Sequence, residues 1–146
     1  MPTVMKQMNL VSRCMTLYRG EQLPSLKPKH HSFVFVICGS PGLSQDQIAR
    51  RLCINKSTVA RSLDHLEKQG LITRTSAPDD KRVTLVYPTA AMEKLLEQVR
   101  AIAKQWNELI TEDCSPEEME IFLSVLSRIT HRATQLVNAE EGGGKR

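Results

Sequence analysis

Residues 44–70, SQDQIARRLCINKSTVARSLDHLEKQG, constrain the fold more than any other stretch, because the ends of two consecutive helices are written into them. Ser44, followed three residues later by Gln47, has the capping-box form in which each side chain satisfies the other residue's backbone N–H. Ile48, Ala49 and Leu52 supply the inward face of the short helix that starts there. Asn55 is a good cap for a second helix, and Gly70 is the kind of residue on which helices stop. Between them Val59, Leu63 and Leu66 recur at i, i+4 and i+7. The turn joining the two helices is about four residues long, the length of a helix-turn-helix.

Opposite that apolar stripe the second helix is expected to present Ser57, Thr58, Arg61, Ser62 and His65, with Lys56 at its amino end. Such a face suits a DNA major groove. Arginine bridges the two acceptors of guanine, and short hydroxyls bond phosphates or base edges. The plainer reading is a solvated surface helix, but such helices usually mix acids with bases, and here Asp64 and Glu67 lie off the centre of the face.

A hairpin follows at once. Leu71-Ile72-Thr73 and Val83-Thr84-Leu85-Val86-Tyr87 flank the charged knot Asp79-Asp80-Lys81-Arg82. Alone, this is an ordinary polar turn built on Pro78-Asp79-Asp80. Placed after a helix-turn-helix, it reads as a wing whose Lys81 and Arg82 reach a neighbouring minor groove. An acid beside that arginine can hold its guanidinium in a fixed direction.

The flanks are helical by period. Val4, Met8, Val11, Met15 and Tyr18 form an apolar face broadened by Leu10, Cys14 and Leu17, ended by Gly20 and Pro24. Thr89 caps a long amphipathic helix carrying Met92, Leu95, Leu96, Val99, Ile102, Ala103, Trp106, Leu109 and Ile110 on one side. Ser115 and Pro116 open another, striped by Phe122, Val125, Leu126, Ile129, Ala133 and Leu136. Over Phe33–Cys38 composition favours a strand. The glycine-rich tail, 139–146, is expected to be disordered. The result is a mainly α chain with one small β-hairpin (α+β), a single domain over 1–146.

Charge is uneven along that order. Residues 1–43 hold five Lys/Arg against one acid, 44–87 eight against five, and 88–146 seven against ten. The positive potential therefore lies on the first 87 residues and suits an anionic partner. No apolar run is long enough for a membrane helix, and the amino terminus lacks the form of a secretory signal, so a cytoplasmic protein is expected. Cys14, Cys38, Cys53 and Cys114 contain no close pair, and adjacent His30 and His31 chelate poorly, so no metal site is expected. No Ser/His/Asp set, carboxylate pair or phosphate loop marks an enzyme, and no cofactor is implied.

The stretch PGLSQDQIARRLCINKSTVARSLDHLEKQGLITRTSAPDDKRVTLV resembles the MarR family of bacterial transcriptional regulators. The matching marks are LSQDQIARRL, STVARSLDHLEKQGLITR and DDKR, within residues 41–89. The resemblance implies a winged helix-turn-helix lobe over about 28–88, flanked by dimerisation helices over about 4–22 and 89–138. It implies a homodimer on a pseudo-palindromic double-stranded operator, often a repressor released by a small aromatic acid or by thiol oxidation. Asp80 and Arg82 fall on the family's D-x-R wing pair, with Asp80 orienting Arg82, and Arg74 falls on a strand arginine near the wing. Where the family often has Leu-Thr-x-x-Gly after the hairpin, this chain has Pro88-Thr89-Ala90-Ala91-Met92.

Dimerisation would rest on Val4, Met8, Val11, Met15, Phe122, Leu126 and Ile129, the stripes of the terminal helices. Cys38 and Cys53 are expected in the core. Cys14 and Cys114 are the candidate redox thiols. The alternatives to an effector-released repressor are a thiol-based regulator of the same fold and a winged-helix protein-interaction module that does not bind DNA.

Overall fold

A computed structural model describes residues 3–143, with side chains through Asn138. The chain divides into two compact units, Met1–Trp106 and Asn107–Arg146. Helix α1 spans Val4–Gln22, and a 3₁₀ turn at Pro28–His30 leads into α2, His31–Gly39. Strand β1, Leu43–Ser44, precedes α3, Gln45–Leu52, and α4, Lys56–Lys68. Strands β2, Ile72–Ser76, and β3, Thr84–Pro88, form the hairpin, followed by α5, Ala90–Ile110, and α6, Pro116–Gly143.

The local rules hold where helices begin and end. Ser44 and Gln47 form the reciprocal capping box, with Ser44 Oγ accepting from Gln47 N at 3.1 Å and Gln47 Oε1 from Ser44 N at 2.9 Å. Asn55 Oδ1 accepts from Ser57 N and Thr58 N at the start of α4. Gly70 takes the left-handed φ of +74° that stops α4 cheaply only for glycine. Ser115 and Glu118 make a second reciprocal box at the start of α6.

Two elements depart from the pattern. Phe33–Cys38 is helix, not the strand that composition favours. Phe33, Val34 and Ile37 are buried at helical spacing, and Phe35, Val36 and Cys38 pack partly against the same core. A segment covered on nearly every side satisfies its own backbone hydrogen bonds as a helix and needs no neighbouring strand, so packing overrides propensity. The hairpin also has a third partner that the sequence does not announce. Leu43 and Ser44 pair antiparallel with Val86 and Leu85, giving the sheet order β1-β3-β2. Gly42 reaches this edge at φ +89°, its backbone N–H donating to Val86 O at 2.8 Å. A Cβ at Gly42 would sit 3.2 Å from the Tyr87 hydroxyl, so the approach itself calls for glycine.

The core of the first unit lies between α2, α3, α4, the sheet and the start of α5. Phe33, Val34, Ile37, Ile48, Val59, Leu63, Leu66, Ile72, Val86, Met92 and Val99 are all buried there. No residue of α1 is buried. In the second unit α6 likewise buries none of its described side chains. Of the tail expected to be disordered over 139–146, residues 139–143 continue α6 as helix. Residues 144–146 lie outside the described residues.

Thr89 joins two elements. Its hydroxyl accepts from Met92 N at 3.4 Å and reaches the carbonyl of Gly70 at 2.8 Å, while its own N–H donates to Leu71 O at 3.0 Å. The helix entry thus survives the loss of the family's Leu-Thr-x-x-Gly form. Thr89→Val should lower unfolding stability by about 1 kcal/mol, and Thr89→Ser should retain most of it. Urea unfolding followed by circular dichroism checks this; equal midpoints for Val and Thr would remove the cap from the account.

Candidate nucleic-acid interface

The turn between α3 and α4 fixes how α4 is presented. Cys53 adopts a left-handed φ of 52°, uncommon for a non-glycine residue, and its N–H closes α3 onto Arg50 O. Ile54 then turns inward and packs against the core. Cys53 is therefore exposed rather than buried as expected, because Ile54 holds the inward position.

On α4, Lys56, Ser57 and Arg61 are exposed and Thr58 is half-buried. Arg61 Nη2 donates to Thr58 Oγ1 at 3.4 Å, and Lys56 Nζ stands 3.4 Å from Asp46 in an exposed pair. Two expected members of this face lie elsewhere. Ser62 is 3% exposed, with no partner for its hydroxyl. It lies at i+3 from Val59 and i−4 from Leu66, inside the buried stripe, and that spacing was readable in the sequence. His65, one turn further on, is half-buried, its ring centroid 5.4 Å from that of His30. Neither belongs to the centre of the outward face.

The two hairpin arginines have different surroundings. Arg74, expected as a DNA contact, is bound within the protein. Its guanidinium donates to Asp64 at 2.6 Å, to both carboxylate oxygens of Glu67 at 3.1 and 3.3 Å, and to Gln45 Oε1 at 3.0 Å. Its side chain is only 20% exposed. Arg74 thus ties β2 to α4 and to the first residue of α3. The hydrogen bond from Arg74 holds the Glu67 carboxyl below the ordinary carboxylate range, and the same bond raises Arg74. Asp64, Glu67 and Gln45 are the members that motif reading missed. Two acids three residues apart on α4, next to a lone strand arginine, were the available signal.

Arg82 is the opposite case. Its side chain is 90% exposed, yet its direction is set by Asp80. Nε donates to Asp80 Oδ1 at 3.1 Å, Nη2 to Oδ2 at 3.3 Å, and the Arg82 backbone N–H to Oδ1 at 3.0 Å. The side-chain bonds from Arg82 lead the causes that lower the Asp80 carboxyl below its ordinary value. Beneath this tip Ala77 N–H donates to Val83 O at 2.8 Å and closes the wing. Lys81 is exposed beside it, and among the described residues no salt bridge involves Lys81 or Arg61.

The dimerisation candidates are uncovered or partly so. On α1, Val4, Met8 and Val11 are exposed and Met15 is half-buried. On α6, Phe122 is exposed, with Leu126 and Ile129 half-buried. Cys14 and Cys114 are both exposed. Among the described residues no helix is long and apolar enough to cross a membrane.

A helix-turn-helix followed by a hairpin on a three-stranded sheet defines a winged-helix protein. Residues 25–83, the winged helix itself, match the model of the MarR family. The same fold recurs in solved structures. A SlyA-like transcription regulator from Listeria monocytogenes superposes with a TM-score of 0.93 at 19% identity, over 100% of this chain and 99% of that one. A Listeria monocytogenes chain assigned to the MarR family, crystallised with a 26mer DNA, gives 0.89 at 19% identity, over 100% and 99%. The transcriptional repressor CouR, bound to a 23-mer DNA duplex, gives 0.78 at 23% identity, over 88% and 92%.

The two arginines should separate in stability. Arg74→Gln should cost about 1 kcal/mol by leaving two acids side by side on α4, whereas Arg82→Gln should stay within about 0.5 kcal/mol. Urea midpoints of the two variants test this, and equal losses would contradict the assignment. The wing should also respond to acid. Because Asp80 is lowered in the folded chain, its hold on Arg82 is complete above its ordinary value and lost as pH falls through the lowered one. Asp80→Asn should loosen wing residues 78–82 at neutral pH, seen as reduced heteronuclear NOEs there; an unchanged wing would show that Asp80 does not order it.

Proposed function

We propose that the chain is a homodimeric, sequence-specific DNA-binding transcriptional regulator, a repressor released from its operator by a small-molecule effector. The observation that carries this is the pairing of an α4 face bearing Lys56, Ser57 and Arg61 with a wing on which Arg82 is almost fully exposed and aimed by Asp80. Arginine and hydroxyl side chains on the helix read base edges and grip phosphates. The wing arginine enters the adjacent minor groove, where the potential is most negative. Thr58 joins the helix contacts as the groove closes on it, and Lys81 neutralises phosphate. Solved structures of this fold hold duplex DNA, which supports the reading. A protein-interaction module would present an apolar or acidic α4 face, and this face is basic and hydroxylic.

Dimer formation is supported by apolar surface left open within each unit. On α1, Val4, Met5, Leu10, Val11 and Leu17 are exposed, and on α6, Ile121, Phe122, Leu123, Leu136 and Val137. A second copy covers such surface with two-fold symmetry and brings a second α4 to the next major-groove face of a pseudo-palindrome. An effector, a small aromatic acid by family resemblance, acts by favouring a spacing of the two α4 helices that no longer matches the grooves. Exposed Cys14 and Cys114 favour, as the second reading, thiol oxidation in place of the effector.

Fluorescence-anisotropy titration of the promoter fragment of its own gene against a random duplex decides the main reading. Specific binding should be orders of magnitude tighter and should fall steeply as salt rises. Equal affinity for both duplexes at moderate salt defeats it. Arg82→Ala should weaken operator binding about tenfold or more while sedimentation still reports a dimer; loss of the dimer would mean that the residue is not at a DNA-facing tip.

A further inference from the structure

His30 ends the 3₁₀ turn before α2 and is 1% exposed, yet neither ring nitrogen has a hydrogen-bond partner. A neutral imidazole carries one N–H donor and one acceptor, and burying both unpaired costs stability that a hydrocarbon ring of similar shape would not. The ring packs edge-on to Phe33, with centroids 5.8 Å apart, and lies tilted against His65 of α4 at 5.4 Å. His31, the next residue, is also 1% exposed, with Nε2 unpartnered. One turn before His65, Ser62 is buried with an unpartnered hydroxyl. Where the start of α2 meets His65 of α4, His30 and His31 therefore bury ring nitrogens without partners.

The charges around this junction are of one sign. Lys27 and Lys29 on its own segment, His31 from α2 and His65 from α4 act on His30, and Arg19 from α1 acts on His31. Among the described residues no carboxylate acts on either ring and neither His30 nitrogen has an acceptor, so a proton on His30 gains no counter-charge there. We propose that His30 is a positioning residue for α4: its neutral ring seats the DNA-reading helix through His65, and its protonation unseats that helix and weakens duplex binding in mild acid. The inference rests on the DNA-binding reading above and adds a mode of regulation to it.

Burial, with the surrounding cations adding to it, lowers His30 from 6.5 to about 4, and burial beside Arg19 does the same to His31. The seated ring binds a proton less readily than a released one. Seating is therefore fully available above pH 6.5 and is lost progressively as pH falls toward 4. A ring at about 4 when seated and 6.5 when released shifts the balance toward release by about 30-fold between pH 8 and pH 5.

The test is anisotropy titration of the promoter duplex at pH 7.5 and pH 5.0 with the wild-type chain and His30→Phe, using His30→Leu if phenylalanine overfills the site. At pH 7.5 the variant should bind like the wild type, within about threefold. At pH 5.0 the wild type should lose more affinity than the variant, by a factor of up to about 30. Acid effects on the wing and on DNA are common to both proteins and cancel in the ratio. A ratio within twofold of unity overturns the positioning role, even if urea midpoints show wild-type stability falling with pH. Failure of both proteins to prefer the promoter duplex at pH 7.5 overturns the regulator reading itself, and with it any role for His30 in DNA binding.

Discussion

Burial of one stripe on α4 is the constraint from which the interface follows. Val59, Ser62, Leu63 and Leu66 all point into the core, and successive residues on a helix are about 100° apart. With four positions committed inward, α4 cannot rotate about its axis without exposing leucine or burying arginine. Lys56, Ser57 and Arg61 are outward because the core leaves them no other place. The capping of α4 by Asn55 and its stop at Gly70 set the length of the rod, and the left-handed turn at Cys53 sets where it starts.

The hairpin is attached to that rod by charge. Arg74 and Arg82 lie eight residues apart on the same hairpin, yet their partners differ in kind. Those of Arg74 come from another element, Asp64 and Glu67 of α4, with Gln45 of α3, and converge on a side chain mostly withdrawn from water. The partner of Arg82 is two residues away, on the same loop. A non-local clamp fixes the position of the whole hairpin, and a local one fixes only the direction of its own side chain. The first arginine is used up in holding the wing to α4. The second, still almost fully in water, keeps a charged group that a phosphate or a groove can desolvate.

This division explains what the sequence could and could not disclose. Caps and stops are local chemistry, so Ser44, Asn55, Gly70 and Ser115 were legible, and with them most of the helix order. The wing's Asp80–Arg82 pair is also local and was legible once a motif placed it. Arg74 was not, because nothing in ITRTS indicates that two α4 acids converge on it. α2 was misread because its strand-like composition is overridden by burial on nearly all sides, a property of the tertiary structure. β1 is two residues long, and its register comes from β3 rather than from a pattern of its own. Ser62 is a different kind of error. A hydroxyl suggests an outward residue, but its spacing from Val59 and Leu66 already placed it inside, and spacing outweighs polarity in a helix this amphipathic.

The terminal helices bear on the same logic from outside the core. The first unit completes its core from α2, α3, α4, the sheet and the start of α5, and α1 contributes no buried residue to it, although Met5 and Leu17 are each 71% exposed. A helix that its own unit does not need for burial, yet carries this much apolar surface, is poorly explained as a solvated element. In the second unit Ile121 stands 68% exposed on α6, on a helix with the same property. Under the proposed dimer the winged helix folds on its own core while its pairing with a second winged helix is set by different residues. In that proposed dimer, the separation would let a ligand, an oxidant or a proton alter the distance or seating of the α4 helices without dissolving the core that presents them.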